Sequence, residues 1–139
     1  MKSLFVDTSG WIACADAADP DHGVACGARD NWLEHQGLLI TSDYVIDETL
    51  TLLRLRLSLS LSAAEQWWHA LAASKRVIRE LISEERAERA RHIFFRHRDK
   101  NFSFTDCTSF AVMGELKIRE ALTTDKHFRQ AGFQMVPRG

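Results

Sequence analysis

The sequence contains few cysteines, few prolines and no long apolar run, and each absence excludes a class of protein. The three cysteines are odd in number and show neither CxxC spacing nor a Cys/His ligand pattern, so they indicate neither a disulfide framework nor a zinc site. No segment approaches the length that spans a bilayer, and the opening MKSLFVD lacks the apolar stretch of a secretory signal. We therefore expect a cytoplasmic protein that is not bound to a membrane.

The sequence also lacks an excess of charge of either sign. Its net charge is -1, so no overall basic field points to nucleic-acid binding. A nuclease that works through a bound metal ion can still be neutral, because the ion supplies positive charge at the site itself. Hydrophobic residues make up 45% and charged residues 27% of the chain, which is typical of a folded globular protein. The length of 139 residues predicts one domain that spans residues 1–139.

Hydrophobic periodicity predicts strands and helices in alternation, and this alternation predicts an α/β fold with a mainly parallel sheet. Gly37 is expected to end the second helix, and Ser62 is expected to open the fourth with a capping box. Residues 53–62 alternate between apolar and polar side chains, which by period favours a strand, although a helix is predicted to reach about Leu57. We predict strands at residues 3–6, 38–40, 76–78, 120–124 and 133–136, and helices at 8–15, 24–35, 43–57, 62–73, 84–98 and 106–117.

Three aspartates occupy positions where a sheet or a helix could present them to a ligand. Asp7 follows the first predicted strand, at the end where parallel sheets form their ligand-binding crevice. Asp106 stands at the start of a predicted helix, and Asp125 follows the fourth predicted strand. Each aspartate has a simpler explanation when taken singly. Asp7 can cap the next helix, and the other two can interact favourably with the positive end of a helix dipole. Spacing alone does not show that the three side chains meet.

A fourth acidic residue lies inside an apolar helical segment. Glu48 belongs to the segment YVIDETL, away from any cap, and a buried carboxylate needs a partner or a metal ion. The preceding residue, Asp47, points about 100° around the helix from Glu48, so the two cannot project equally into one site. Periodicity does not choose between them.

Basic residues are concentrated before Asp106, but acidic residues are interspersed with them. The basic residues are Arg86, Arg89, Arg91, Arg96, Arg98 and Lys100. This mixture favours a solvated helix face over an RNA-binding surface.

Trp67 and Trp68 are expected in the core or at a subunit interface rather than as base-stacking groups. The histidines, including His97 and His127, show no spacing that demands a metal ligand, so surface or helix-end roles are expected.

Four short segments together resemble the PIN-domain family, and in particular the small bacterial ribonuclease toxins of type II toxin–antitoxin pairs. The order and spacing of the segments cover nearly the whole chain, as in those proteins. The segments are FVDTS at residues 5–9, DETL at 47–50, FTDCTSF at 104–110 and TTDKHF at 123–128.

The resemblance implies a single three-layer PIN-like domain and a set of site residues. It prefers Glu48 over Asp47, and it assigns residues 53–62 to a helix end and its turn. Thr105, together with Thr8, resembles the small hydroxyl residues that orient a carboxylate or water. The four motif acids of the family, which bind metal and act in catalysis, correspond here to Asp7, Glu48, Asp106 and Asp125.

The resemblance also implies a reaction, a cofactor and partners. A pocket of acids without histidine or cysteine suits Mg²⁺ or Mn²⁺, with Asp7 and Asp106 as direct ligands. Glu48 and Asp125 would complete the site or bind a second ion. The implied reaction is hydrolysis of single-stranded RNA to a 5′-phosphate and a 3′-hydroxyl. The implied partners are the RNA substrate, a small antitoxin protein and a second copy of the chain in a homodimer.

Other functions remain as alternatives at this point. A free-standing housekeeping PIN nuclease and a non-catalytic partner-binding module would share the same fold. An aspartyl-phosphate phosphatase would use Asp7 as its nucleophile. The usual pattern of such phosphatases resembles Asp-x-Asp, however, and Ser9 stands here in place of the second acid.

Overall fold

The computed structural model describes residues 2–56 and 59–137, which contain five strands and seven helices. None of the described helices combines the length and the apolar character needed to cross a bilayer. The strands are β1 (Ser3–Val6), β2 (Leu38–Ser42), β3 (Val77–Glu80), β4 (Glu120–Leu122) and β5 (Gln134–Val136). The helices are α1 (Thr8–Ala15), α2 (His22–Glu34), α3 (Asp43–Leu55), α4 (Leu61–Ala73), α5 (Glu84–Arg96), α6 (Phe104–Leu116) and α7 (His127–Gln130).

The strands form one sheet in the order β3-β2-β1-β4-β5. Each neighbouring pair is parallel, and Phe5 at the centre of the sheet lies opposite Ile40 on one side and Ala121 on the other. Right-handed crossovers between parallel strands place α1 to α4 on one face of this sheet and α5 to α7 on the other. The predicted α/β fold, a mainly parallel sheet flanked by helices, is confirmed.

The direction of winding reverses between β1 and β4. From β1 the chain moves outward to β2 and β3, and it then crosses to β4 and moves outward to β5 on the other side. Such a reversal leaves a crevice outside the carboxyl ends of the two central strands, because the connections there leave in opposite directions. Asp7 directly follows β1 and Asp125 follows β4 after two residues, so the topology brings both to this crevice.

Stacked aromatic rings hold the helices near the crevice against the sheet. Phe5 of β1 is fully buried, and its ring stacks on Phe128 of α7 with 6.5 Å between centroids. Phe128 also meets Phe110 of α6 edge to face, at 5.0 Å. Full burial of a phenylalanine side chain contributes roughly 1.5–3 kcal/mol, so these rings fix where α6 and α7 begin relative to β1.

Several predicted helix boundaries differ from the structure by one or two residues, including the start of α6, which lies at residue 104 rather than 106. The capping box predicted at Ser62 does not form, because Ser60 accepts the hydrogen bond of the Ala63 N–H at 3.2 Å and α4 begins at residue 61. Helix α2 begins at residue 22 rather than 24, because the turn before it closes earlier, with Asp19 Oδ1 accepting from the N–H of residue 21. Helix α5 ends at residue 96 rather than 98, where the ring of His97 turns toward Phe102.

Gly37 does not cap α2 in the predicted way. The helix ends at Glu34, and the left-handed residue that follows it is Gln36, with φ of 61°. The glycine is required for space instead, because a Cβ at position 37 would lie 2.2 Å from the ring of Trp32. Glycine at this position lets the tryptophan pack directly on the backbone that enters β2.

The described part of residues 53–62 is not a strand. Helix α3 runs to Leu55, and the N–H of Leu59 then donates to the carbonyl of Arg56 at 3.2 Å in a turn before α4. This is the helix end and turn that the family resemblance implied. The predicted helix end near Leu57 lies outside the described residues, as do Met1 and Gly139 at the ends of the predicted domain.

Candidate active site

Asp7 lies at the carboxyl end of β1 and is almost completely buried, with 5% of its surface exposed. Its Oδ1 accepts a hydrogen bond from the N–H of Gly10 at 2.9 Å, so it does cap α1. Two hydroxyl groups donate to the same carboxylate, Ser9 Oγ at 2.9 Å from Oδ1 and Thr123 Oγ1 at 2.9 Å from Oδ2. The capping role therefore coincides with a place in the crevice and fixes the orientation of the carboxylate there.

Burial dominates the electrostatics of Asp7. The pKa of this carboxyl is raised from 3.8 to about 7, chiefly because burial penalises the charged form. The hydrogen bonds from Gly10, Ser9 and Thr123 lower the pKa in part, and the negative charge of Asp125 raises it again. A nearby cation would favour the charged carboxylate, so this environment suits a group that holds a positive ion.

Asp106 is the third residue of α6 and forms a capping box with Ser103. The N–H of Asp106 donates to Ser103 Oγ at 3.0 Å, and the N–H of Ser103 donates to Oδ2 of Asp106 at 3.2 Å. The pKa of Asp106 is raised, first by burial and then by the charge of Asp125. Asp125 shares a group of close ligand atoms with Asp106, and it is joined to Asp7 through the hydroxyl of Thr123, so the fold brings three of the four predicted acids together.

Asp125 is fixed in the short loop between β4 and α7. Its N–H donates to Thr123 Oγ1 at 2.9 Å, and its Oδ1 accepts the N–H of His127 at 2.9 Å. The hydroxyl of Thr123 therefore accepts from the backbone of Asp125 while it donates to the carboxylate of Asp7. This one side chain links the acid after β1 to the acid after β4.

His127 stands beside two of these acids, a position that the sequence did not indicate. Its Nδ1 lies 3.0 Å from Oδ1 of Asp125 and 3.4 Å from Oδ2 of Asp106. Among the described residues, Asp106, Asp125 and His127 form a group in which one ligand atom from each lies within 4.8 Å of the others. His127 begins α7, so the expected helix-end position is correct. The predicted pocket of acids without histidine is wrong, because this ring lies beside two of the acids.

Glu48 occupies the half-buried side of α3, whereas Asp47 is exposed. This difference in burial agrees with the preference of the family resemblance for Glu48. In the part of the chain that the structure describes, neither Glu48 nor Asp7 belongs to the tight group of three ligand atoms. The place of Glu48 in a metal site stays a prediction.

Among the described residues, the hydroxyl groups that contact Asp7 are those of Ser9 and Thr123, and the roles of Thr105 and Thr8 stay predictions. Thr105 is half-buried in the first turn of α6, where its carbonyl accepts a hydrogen bond from Thr108 Oγ1 at 2.6 Å. The buried hydroxyl of Thr8 has no hydrogen-bond partner among the described residues. Ser9 and Thr123 hold Asp7, and each stands two residues from a motif acid, a spacing that could have identified them.

Three basic residues of α5 form ion pairs within the protein. Arg86 pairs with Glu80 at 2.9 Å and with Glu115 of α6 at 2.7 Å, and Arg89 pairs with the same Glu115 at 2.7 Å. Arg91 pairs with acids of its own helix. Arg89 and Arg91 are 51% and 38% exposed, so the predicted solvated helix face is confirmed for them, whereas Arg86 is only 13% exposed and is ion-paired to Glu80 and Glu115.

The geometry of Asp7 does not favour aspartyl-phosphate chemistry. The carboxylate of Asp7 accepts hydrogen bonds from three donors, which would weaken it as a nucleophile. Ser9, at the position where that chemistry needs an acid, donates a hydrogen bond to both oxygens of Asp7.

The arrangement of acids at the β1/β4 crevice agrees with a family comparison over nearly the whole chain. The family model described as PIN domain matches residues 4–134. The chain belongs to the PIN-domain family. The resemblance that the four sequence segments suggested is thereby confirmed, and it extends well beyond those segments.

This PIN domain is similar in sequence and in structure to known nucleases. The 23S rRNA-specific endonuclease VapC20 of two strains of Mycobacterium tuberculosis is 36% identical over 133 residues, which are 96% of this chain and 97% of the relative. The crystal structure of Mycobacterium tuberculosis VapC20, described as a sarcin-ricin loop cleaving toxin, matches with a TM-score of 0.82 at 36% identity. That match covers 94% of this chain and 95% of the other.

Proposed function

We propose that this PIN domain is a metal-dependent endoribonuclease that cleaves single-stranded RNA, and that it is the toxin of a toxin–antitoxin pair. The observation that carries the proposal is the convergence of Asp7, Asp106 and Asp125 at the carboxyl ends of β1 and β4. A phosphodiester is anionic, so attack by water needs neutralisation of charge and a deprotonated nucleophile. Carboxylates gathered in one crevice can hold the cation that meets both needs.

The residues of the crevice fit a hard divalent cation such as Mg²⁺ or Mn²⁺. Carboxylate oxygens are the ligands that these ions prefer, and the raised pKa values of Asp7 and Asp106 reflect burial and repulsion that a cation would relieve. When bound, the ion would polarise the phosphate and activate water for in-line hydrolysis. We assign Asp7 and Asp106 as direct ligands and Asp125 and Glu48 as completing the site, with Ser9 and Thr123 holding Asp7 in place.

The candidate substrate is a loop of ribosomal RNA. The relative VapC20 is described as 23S rRNA-specific and as cleaving the sarcin-ricin loop, and its similarity to this chain covers 96% of the present sequence. We also propose a cytoplasmic location, because a ribosomal substrate would be met there. The buried Cys14 and Cys107, and Cys26, are free thiols, which is compatible with a reducing compartment.

We further propose a small antitoxin protein and a second copy of this chain as partners, with residues 1–139 forming one PIN domain. Large apolar side chains on the surface support a protein partner. Leu55, Leu61 and Leu81 are 69%, 60% and 70% exposed. Leu61 and Leu81 each line a groove with the same three apolar side chains, those of Ile46, Leu50 and Trp68. Apolar side chains gathered on one surface are typical of an interface. Co-purification with a small partner, followed by inhibition on adding it back, would separate a toxin from a free housekeeping nuclease.

The test of the proposed function is cleavage by the purified chain after any partner has been removed. The substrates are a mixed single-stranded RNA pool and a hairpin that carries the sarcin-ricin loop, each with Mg²⁺, with Mn²⁺ or with a chelator. We expect cleavage that requires the metal and falls on the order of 100-fold in Asp7→Asn. Metal-independent cleavage, or equal cleavage by the variant, would contradict the proposal.

A further inference from the structure

The imidazole of His127 faces the same small space as two carboxylates. Its Nδ1 is 3.0 Å from Oδ1 of Asp125 and 3.4 Å from Oδ2 of Asp106. Ligand atoms about 2.1 Å from an octahedral ion lie about 3.0 Å apart along an edge and about 4.2 Å apart across the ion. Both separations of Nδ1 fall within this range, and one ligand atom from each of the three residues lies within 4.8 Å of the others, so small shifts would let the three groups share one cation.

The position of the ring is fixed by contacts that do not use Nδ1. The backbone N–H of His127 donates a hydrogen bond to Oδ1 of Asp125 at 2.9 Å, and this bond fixes the first turn of α7. The ring also meets Phe102 edge to face, with 5.7 Å between centroids. Nδ1 itself is buried and makes no hydrogen bond with any described residue, although it lies within ion-pair distance of both carboxylates. A buried nitrogen without a partner is costly, so it calls for a ligand.

We propose that His127 supplies a nitrogen ligand to the divalent cation held by Asp106 and Asp125, and that this mixed set of donors binds Mn²⁺ more tightly than Mg²⁺. The inference rests on the proposed metal-dependent function and deepens it. Mg²⁺ favours oxygen ligands and retains its water, whereas imidazole nitrogen suits transition metals. The nitrogen donor should therefore raise the preference for Mn²⁺ above what the carboxylates alone would give.

Electron spin echo spectroscopy of the Mn²⁺-loaded chain tests the proposal directly. A coordinated imidazole transfers unpaired spin to its nitrogen, so the wild-type protein should show a ¹⁴N modulation, and His127→Ala should lack it. Absence of the ¹⁴N modulation from wild-type protein saturated with Mn²⁺, or its persistence in His127→Ala, would overturn the assignment. The wild-type measurement does not depend on the folding of a variant.

Titration calorimetry with Mn²⁺ and Mg²⁺ measures the predicted preference. We expect the wild-type chain to favour Mn²⁺ by about tenfold or more, and His127→Ala to lose about tenfold of Mn²⁺ affinity with a smaller loss for Mg²⁺. An equal Mn²⁺ to Mg²⁺ ratio in the two proteins, or no binding of Mn²⁺ by the wild type at millimolar concentration, would overturn the proposal.

His97→Ala is the matched control for both measurements. The ring of His97 meets the same Phe102, with 5.6 Å between centroids, but His97 does not belong to the group of three ligand atoms. It should leave the ¹⁴N modulation and both affinities unchanged. Failure of this inference is distinguishable from failure of the proposed function, because RNA cleavage without ¹⁴N modulation refutes only the role of His127. Modulation without RNA cleavage refutes only the nuclease.

Discussion

Asp7 shows how one residue can serve the fold and the site together. As the N-cap of α1 it accepts a hydrogen bond from the N–H of Gly10. The hydroxyls of Ser9 and Thr123 also donate hydrogen bonds to this carboxylate and fix its orientation. The same position buries the carboxylate, and burial raises its pKa to about 7. A charge is therefore held where water does not stabilise it, which costs stability in the absence of a cation and prepares the residue to bind one.

Replacement of Asp7 by asparagine should stabilise the metal-free protein in a pH-dependent way. An acid whose pKa is raised in the folded state contributes stability below its unfolded pKa, here about 3.8, and loses that contribution as pH rises through about 7. Asparagine still caps α1 but carries no charge to bury. With chelator present, urea denaturation should show Asp7→Asn gaining about 2 kcal/mol on wild type at pH 8, and little at pH 4.

The exposed Asp47→Asn is the control for this experiment, since it removes a carboxylate without changing a buried charge. It should show no comparable gain at either pH. A gain for Asp7→Asn that is equal at pH 4 and pH 8 would contradict the account of a buried, destabilising charge.

At this scale the sequence predicted the acids but not their neighbours. Asp7, Asp106 and Asp125 could be chosen because they belong to short family motifs and lie at strand ends or helix starts. His127 could not, because its ring reaches Asp106 only through the packing of α7 beside α6, which sequence spacing does not contain. The link through Thr123 likewise depends on the parallel pairing of β1 with β4.

At the scale of elements, the close contact of α1 with β4 depends on Gly10. A Cβ at this position would lie 2.2 Å from the carbonyl oxygen of Leu122, a backbone atom that cannot move aside. Gly10→Ala should therefore destabilise the protein by about 3 kcal/mol or more, measured by chemical denaturation. Gly114→Ala in α6 is the matched control, because a Cβ there meets nothing within 4 Å, and it should be neutral or stabilising by up to about 1 kcal/mol. Equal effects of the two substitutions would contradict the close approach.

The contact between α5 and α6 includes an ion-pair network around Glu115. Hydrogen bonds from Arg86 and then from Arg89 hold the pKa of Glu115 down to about 2. An acid with a lowered folded pKa contributes stability above its unfolded pKa of 4.5, and this contribution is lost as pH falls toward 2. Glu115→Gln should cost less than about 1 kcal/mol at pH 7, because solvent screens the partly exposed pair. Thermal unfolding should show that cost shrinking between pH 4.5 and pH 2 and at high salt, and a cost independent of both would contradict the ionic explanation.

Element boundaries were harder to predict than element types. The five strands and the six longer helices were identified because their periodicity reflects burial, which dominates folding, whereas the four-residue helix α7 was not predicted. The start of α4 was misplaced because Ser60 and Ser62 both suit an N-cap, and the choice between them depends on tertiary packing. The period-2 pattern of residues 53–62 predicted a strand, but α3 continues to Leu55 because its inner side packs against the core at Leu53.

At the scale of the whole molecule, strand order decides where the chemistry lies. The reversal of winding between β1 and β4 creates a crevice, and the acids that follow these two strands enter it from opposite sides, with Asp106 supplied by the first turn of α6. Alternating elements predicted a parallel sheet but not its order, because several orders satisfy the same pattern. Family resemblance supplied what periodicity could not, and the match over residues 4–134 confirms it.

The central claim is that the acids at this crevice make the chain a metal-dependent ribonuclease. Single-turnover cleavage of the RNA hairpin, with saturating Mn²⁺, should be compared between Asp106→Asn and Asp99→Asn. Both variants remove one aspartate near the start of α6, and asparagine at position 106 can still accept the hydrogen bond of the capping box. Cleavage should fall on the order of 100-fold or more in Asp106→Asn and stay unchanged in Asp99→Asn. Equal rates in the two folded variants would show that the acidic crevice is not where this protein cuts RNA.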